Sequence, residues 1–205
     1  MAQGQDGAAL LRADALSLER GGRELFCGLS FTVRPGQLLQ IEGPNGAGKT
    51  SLLRILAGLS RYGFGGRVHR QAPQLYLGHH PAVKALLTPR ENLAWHVAGE
   101  GGHSDARIEA ALEQVGLYGY EDVPSMTLSA GQHRRVNLAR LYLSSAPLWL
   151  LDEPFTAIDK AGVAQLEQLL ENHVQGGGAV ILTSHQALQL TRLVEFIHLD
   201  AGLVA

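Results

Sequence analysis

A glycine-rich segment in the first quarter of the chain has the residue types and spacing of a phosphate-binding loop. It matches the pattern G-x-x-x-x-G-K-[ST] at every position. Glycines let backbone N–H groups converge on phosphate oxygens without Cβ clashes, and a following helix presents its positive N-terminal end to the same anion. We therefore predict a nucleotide-binding segment here. Its residues, with the serine that follows, are Gly43, Pro44, Asn45, Gly46, Ala47, Gly48, Lys49, Thr50 and Ser51.

Two side chains of this segment are expected to act on the triphosphate and its metal. Lys49 should reach the β and γ phosphates, where its charge makes it a catalytic residue, and the Thr50 hydroxyl should ligate Mg²⁺. The alternative is a glycine-rich turn that matches by chance. It is disfavoured because an apolar strand precedes the loop and apolar residues at helical spacing follow it.

Paired carboxylates, Asp152 and Glu153, follow the short apolar run 148–151. Asp152 is a candidate for holding the metal, and Glu153 for orienting or deprotonating an attacking water. Carboxylates commonly end strands, so this pair alone is a weak signal. Together with the phosphate loop it predicts hydrolysis of a nucleoside triphosphate.

A third segment begins a predicted helix with small and hydroxyl-bearing residues. As local structure it is an N-terminal cap, with a serine followed three residues later by a glutamine. A helix start of this composition is also a possible second anion site. The segment is Leu128-Ser129-Ala130-Gly131-Gln132.

The elements around these motifs alternate between strands and helices. Strands are predicted at 37–41, 148–151, 179–182 and 195–199, which indicates an α/β fold with a mainly parallel sheet. An antiparallel segment is expected near the N-terminus. The middle of the chain is mostly helical, so a single domain is predicted, with its core at about 8–78 and 146–205 and an inserted helical lobe at about 81–145.

The composition limits the binding partners and the cellular compartment that can be expected for this chain. Apolar residues make up 45% of the 205, charged residues 18%, and the formal charge of −2 gives no reason to expect nucleic-acid binding. Cys27 is the only cysteine, which excludes an intrachain disulfide and favours a reduced, cytoplasmic setting. No apolar run approaches the roughly 20 residues that cross a bilayer. Any membrane role would therefore require docking onto another chain.

The phosphate loop, the segment 128–132 and the carboxylate pair, taken in their order along the chain, resemble the motifs of ABC ATPases. The resemblance identifies residues 128–132 with the signature motif, although Ala130 replaces the usual glycine, and it implies ATP as the nucleotide. Asp159, at the end of Thr156-Ala157-Ile158-Asp159, is similar to the D-loop aspartate, and His185 to the catalytic switch histidine at the γ-phosphate. The resemblance also implies a homodimer or paired subunit. The signature residues Ser129, Ala130, Gly131 and Gln132 of one copy would then complete the nucleotide site of the other.

Two positions depart from that family's pattern. The aromatic residue that usually stacks on adenine falls near Arg20, with no aromatic residue between Leu10 and Leu25. Arg20 could stack its guanidinium plane on the base or point into solvent. The usual glutamine ahead of the helical lobe is also missing. Either His79 or His80 could take its part in sensing the metal and coupling to a partner.

Within the ABC family the sequence is most similar to the CcmA family of the cytochrome c biogenesis, or haem-export, system. Stretches carrying this resemblance are Gln40-Ile41-Glu42-Gly43, Tyr76-Leu77-Gly78-His79 and Phe155-Thr156-Ala157-Ile158-Asp159. It implies a peripheral ATPase on the cytoplasmic side of a bacterial inner membrane. The implied partners are a CcmB-like permease and a CcmC-like component, with a functional link to the haem chaperone CcmE, whose haem-loaded form ATP hydrolysis would release.

Other functions remain open at this point. The chain could be the ATPase of another small ABC exporter, or a soluble ABC-class ATPase. A different P-loop enzyme such as a small-molecule kinase, and a nucleotide-binding scaffold without hydrolysis, are further alternatives. The signature segment disfavours the kinase, and Glu153 disfavours the scaffold.

Overall fold

A computed structural model describes residues 9–97, 102–185, 188–190 and 193–199. These described residues form eight strands and five α-helices. The strands are β1 Leu11–Arg20, β2 Arg23–Val33, β3 Leu38–Glu42, β4 Gly65–Arg70, β5 Gln74–Leu77, β6 Leu148–Leu151, β7 Ala179–Thr183 and β8 Glu195–His198. The helices are α1 Lys49–Leu56, α2 Pro89–Val97, α3 Asp105–Gln114, α4 Ala130–Leu143 and α5 Lys160–Gln175.

The strands form two sheets. In the five-stranded sheet, with order β5-β6-β7-β3-β8, strand β3 pairs in parallel with β7 and β8, and β6 in parallel with β7. The three-stranded sheet, with order β2-β1-β4, is antiparallel. The predicted α/β fold, with a mainly parallel sheet and an antiparallel segment near the N-terminus, is confirmed.

The central strands are buried on both faces, which explains their continuous apolar runs. Every residue of β6 and β7 is buried, and so are the first four of β3. Because these strands are parallel, their carboxyl ends lie at one edge of the sheet. Ligands of open α/β sheets bind at this edge.

Contacts divide the chain into two compact units. The first comprises the described residues up to 76, residues 146–154 and the described residues from 167 onwards, and it contains α1 and all strand residues except Leu77, the last of β5. The second comprises the described residues of 77–145 and residues 155–166, in which α2, α3 and α4 pack around their own apolar cluster, including Leu93, Ile108 and Val136. The segment 155–166 groups with the helices of the second unit. Among the described residues, no helix has both the length and the apolar character needed to cross a membrane.

Candidate nucleotide-binding and hydrolysis site

The phosphate loop joins the end of β3 to α1, and two of its glycines are required by sterics. Gly48, the residue before α1, has φ 100°, and a Cβ there would lie 3.3 Å from side-chain atoms of Leu25 and Phe26. Gly43 has φ 149°, and a Cβ there would lie 2.6 Å from the backbone oxygen of Leu199. The loop therefore has no room for side chains where it is packed against the rest of the first unit, and its backbone can approach a ligand closely.

Lys49 lies across this loop as the first residue of α1. Its Nζ donates hydrogen bonds to the backbone oxygens of Gly43, at 2.7 Å, and Pro44, at 3.3 Å. The ammonium group is thus held above the loop backbone, beside the helix N-terminus. Both features favour a bound anion.

Thr50 and Asp152 meet at the end of β6, although 102 positions separate them in sequence. The Thr50 hydroxyl donates to Oδ1 of Asp152 at 3.1 Å. Asp152 is only 1% exposed. A hydroxyl and a buried carboxylate are the hard oxygen ligands that Mg²⁺ prefers, so this donor set fits the metal expected beside the loop. The remaining ligands would be phosphate oxygens and water.

Thr183, at the end of β7, was not assigned a role from the sequence. Its hydroxyl donates to Oδ1 of Asp152 at 2.9 Å and accepts a hydrogen bond from the backbone N–H of Glu153 at 2.9 Å. This one side chain therefore fixes both predicted acidic residues. The only signal in the sequence was its position at the end of an apolar strand, and its contact with the carboxylates follows from the pairing of β6 with β7, which the sequence did not specify.

Glu153 has a backbone conformation that few residues other than glycine adopt, with φ 50°. Such strained backbone is often found at active sites. Its Oε1 lies 3.4 Å from Nε2 of His185, with the two side chains 16% and 62% exposed. The structure thus brings together two residues predicted to act on the γ-phosphate and the attacking water.

The charge of Asp152 also acts on the neighbouring strand. Burial raises the pKa of Tyr76, in β5, and the Asp152 carboxylate raises it further, whereas Arg54 lowers it. The tyrosine is therefore neutral beside the candidate metal site.

The signature segment lies in the second unit and forms a complete capping box at the start of α4. The Ser129 hydroxyl accepts from the N–H of Gln132 at 3.2 Å, and the Gln132 side chain accepts from the N–H of Ser129 at 2.9 Å. Asp159 in the same unit accepts from the N–H of Gly162 at 2.8 Å and from Arg135 at 3.0 Å. These side chains thus hold the starts of α4 and α5.

The residues at the two positions that depart from the family pattern lie on the surface. Arg20, at the end of β1, is exposed and lines a cavity that also touches Ser51. His79 and His80 are exposed, with their rings edge to face at 5.2 Å. The buried Arg134 side chain donates to the carbonyl groups of Gly78 and His79, which fixes the backbone of this loop.

Comparison with known proteins identifies the family and the fold. Residues 26–156 match the ABC transporter family. Two solved structures share the fold. A putative ABC transporter ATP-binding protein from Pyrococcus furiosus has a TM-score of 0.77 and 24% identity, over 92% of this chain and 96% of that one. A dimeric ATP-binding cassette with ADP and Pi bound has a TM-score of 0.77 and 21% identity, over 86% and 88%. The protein is an ATP-binding subunit of the ABC class.

Curated relatives identify the family within the ABC class. The cytochrome c biogenesis ATP-binding export protein CcmA of Hahella chejuensis is 55% identical, over 94% of this chain and 96% of that protein. The protein of the same name from Methylococcus capsulatus is 52% identical over 89% and 94%, and that from Yersinia pestis 52% over 87% of both. The chain belongs to the CcmA family, as the resemblance predicted.

Proposed function

We propose that this protein is the ATP-hydrolysing subunit of a cytochrome c maturation, or haem-export, complex at the cytoplasmic side of a bacterial inner membrane. The observation that carries the chemistry is the set of hydrogen bonds joining Thr50, Asp152, Thr183 and the Glu153 backbone. The relatives named CcmA support the pathway.

In the proposed reaction, ATP binds with its phosphates over the backbone of residues 43–50 and Lys49 on its β and γ phosphates. Thr50 and Asp152 would hold the Mg²⁺, and the ion would supply positive charge beside the phosphate oxygens. Glu153 accepts a proton from the water whose oxygen bonds to the γ-phosphorus, while the bond from that phosphorus to the β–γ bridging oxygen breaks and releases ADP and phosphate. His185, beside Glu153, donates a hydrogen bond to the γ-phosphate. Preorganised donors of this kind stabilise charge that develops in the transition state.

A second copy of the chain is proposed to close the open side of the γ-phosphate with Ser129, Ala130, Gly131 and Gln132, and with Asp159. ATP bound between two copies favours the paired state by mass action. The His79–His80 loop and the helical second unit would contact a CcmB-like permease with a CcmC-like component nearby. Closure of the pair would be transmitted to them and lead to release of haem-loaded CcmE.

Replacement of the native gene by Lys49→Ala and Glu153→Gln variants tests the pathway. We expect both strains to lose covalent haem in c-type cytochromes and to accumulate haem-bound CcmE, measured by haem staining of membrane proteins. The exposed Arg67 of β4 offers a control that also removes a cation, Arg67→Ala, which should mature cytochromes normally. Normal cytochromes in the Glu153→Gln strain would contradict the pathway. If the purified wild-type protein still hydrolyses ATP in that case, the ATPase assignment stands and only the pathway assignment is refuted.

A further inference from the structure

A cavity of about 260 Å³ lies in the first unit, beside the phosphate loop. Its walls come from the end of β1, the first turns of α1 and the turn that follows α1, and include Arg20, Ser51, Ile55 and Tyr62. Ser51 directly follows the metal-binding candidate Thr50. The cavity therefore begins where the phosphate loop ends.

The position and size of this cavity fit one part of a nucleotide. If residues 43–50 hold the triphosphate, the nucleoside must extend away from the helix N-terminus into neighbouring space. Sites for drug-sized ligands occupy about 300–1,000 Å³, so this smaller cavity suits a planar base better than a complete nucleotide. Apolar Ile55 in its wall suits such a ring.

Tyr62 is the aromatic side chain most open to solvent in this region, with 91% of its surface exposed. An aromatic ring left in water at the mouth of a cavity loses little conformational entropy on binding and offers a flat face. The end of β1 also lines this cavity, but it ends in Arg20 and contributes no aromatic residue to the cavity. A flat guanidinium group can stack on a base, but Arg20 also carries charge that water solvates.

We propose that Tyr62, from the turn after α1, is the residue that stacks on the adenine of bound ATP in this protein. This inference rests on the proposed function, because it takes the phosphates to lie on residues 43–50. Tyr62 thereby supplies, from the turn after α1, the aromatic face that β1 lacks. Arg20 contributes less than Tyr62 to base binding.

The test compares affinities for ATP and for inorganic tripolyphosphate, both with Mg²⁺, in the purified full chain. Base stacking contributes about 1–3 kcal/mol, so Tyr62→Ala should weaken ATP binding about 5- to 150-fold. Its affinity for tripolyphosphate, which has no base, should stay unchanged. Tyr62→Phe keeps the ring and should bind ATP as the wild type does, and Arg20→Ala should show a smaller loss than Tyr62→Ala.

Three outcomes would overturn the proposal. They are unchanged ATP affinity in Tyr62→Ala, an equal loss for ATP and tripolyphosphate, and a larger loss in Arg20→Ala. Unchanged ATP affinity with loss of membrane association would assign Tyr62 to partner docking instead. Thermal melting controls for folding, and substitution of so exposed a side chain should leave the melting temperature unchanged. A wild-type chain that binds neither ligand would refute the proposed function rather than the role of Tyr62.

Discussion

The loop before α1 and the segment before α4 each lead into a helix N-terminus, yet different contacts stabilise them. The first depends on residues far apart in sequence, since the hydroxyls of Thr50 and Thr183 both donate to the carboxylate of Asp152. The second is held by hydrogen bonds between Ser129 and Gln132, three residues apart. A substitution near the first therefore disturbs a network across strands, whereas one in the second has a local structural effect.

This difference matters for assigning function to each region. A buried network that converges on one carboxylate is hard to explain by helix stability alone. A capping box, in contrast, is fully explained by its stabilisation of the helix start. The chain contains a second capping box at the start of α2. There Thr88 accepts from the N–H of Glu91 at 3.2 Å, and Glu91 accepts from the N–H of Thr88 at 2.8 Å. The two boxes offer a matched pair for experiment.

Glu153→Gln should give the largest effect. Loss of a general base lowers turnover by about 10²–10⁴-fold, while the phosphate loop and metal ligands remain and ATP still binds. Phosphate release by the purified complex measures this, and size-exclusion chromatography with ATP should show a trapped dimer. The exposed Glu113 of α3 provides the same change as a control. Wild-type turnover by Glu153→Gln would exclude this carboxylate as the base.

Thr183→Val should give the second-largest effect. It keeps the side-chain shape but removes the hydroxyl that joins Asp152 to the Glu153 backbone. Loss of such a partner of a metal ligand typically lowers metal affinity or activity about 10- to 100-fold. Magnesium titration of ATP turnover measures it, with Thr183→Ser as the variant that keeps the hydroxyl. If the two variants behave alike, the hydroxyl does not position the site.

Ser129→Ala and Thr88→Ala compare the two capping boxes directly. Each should cost about 1 kcal/mol of stability, measured by urea denaturation, because each removes a helix cap. Only Ser129→Ala should also lower ATP turnover in the complex, since only that box is proposed to contact nucleotide on a second copy. Equal turnover in the two variants would show that Ser129 acts only as a helix cap and has no part in hydrolysis.

The smallest effect is expected from His173, at the other edge of the sheet. Its ring stacks on Trp149 at 3.7 Å, and burial lowers its pKa despite hydrogen bonds to Pro147 and Ala179 that raise it. The folded state therefore favours neutral imidazole. Its contribution to stability is complete above the ordinary pKa of about 6.5 and is lost as pH falls through the lower folded-state value.

His173→Phe keeps an aromatic ring on Trp149 but does not titrate. Its urea midpoint should therefore decline less than that of the wild type as the solution is acidified below about pH 6.5. An identical pH dependence in both proteins would show that other groups control acid stability. Turnover at pH 7 should be the same, because this histidine lies away from the carboxyl edge.

The sequence alone determined the features that are local along the chain. The glycine pattern at 43–50, the capping box at Ser129 and the apolar runs of β6 and β7 each depend on neighbouring residues. Ordered motifs were therefore sufficient to predict the α/β fold and the ABC class. The roles predicted for His185, Asp159, Arg20, His79 and His80 came from the family resemblance and remain predictions.

Only the tertiary structure decided which distant residues meet. Thr183 carried no motif, and its part in holding Asp152 and Glu153 follows from the parallel pairing of β6 with β7. Likewise, Tyr62 and Arg20 are far apart in sequence but line one cavity beside Ser51. Sequence spacing fixes contacts within one helix or turn, whereas contacts between strands depend on sheet order and register, which the packing of the whole core selects.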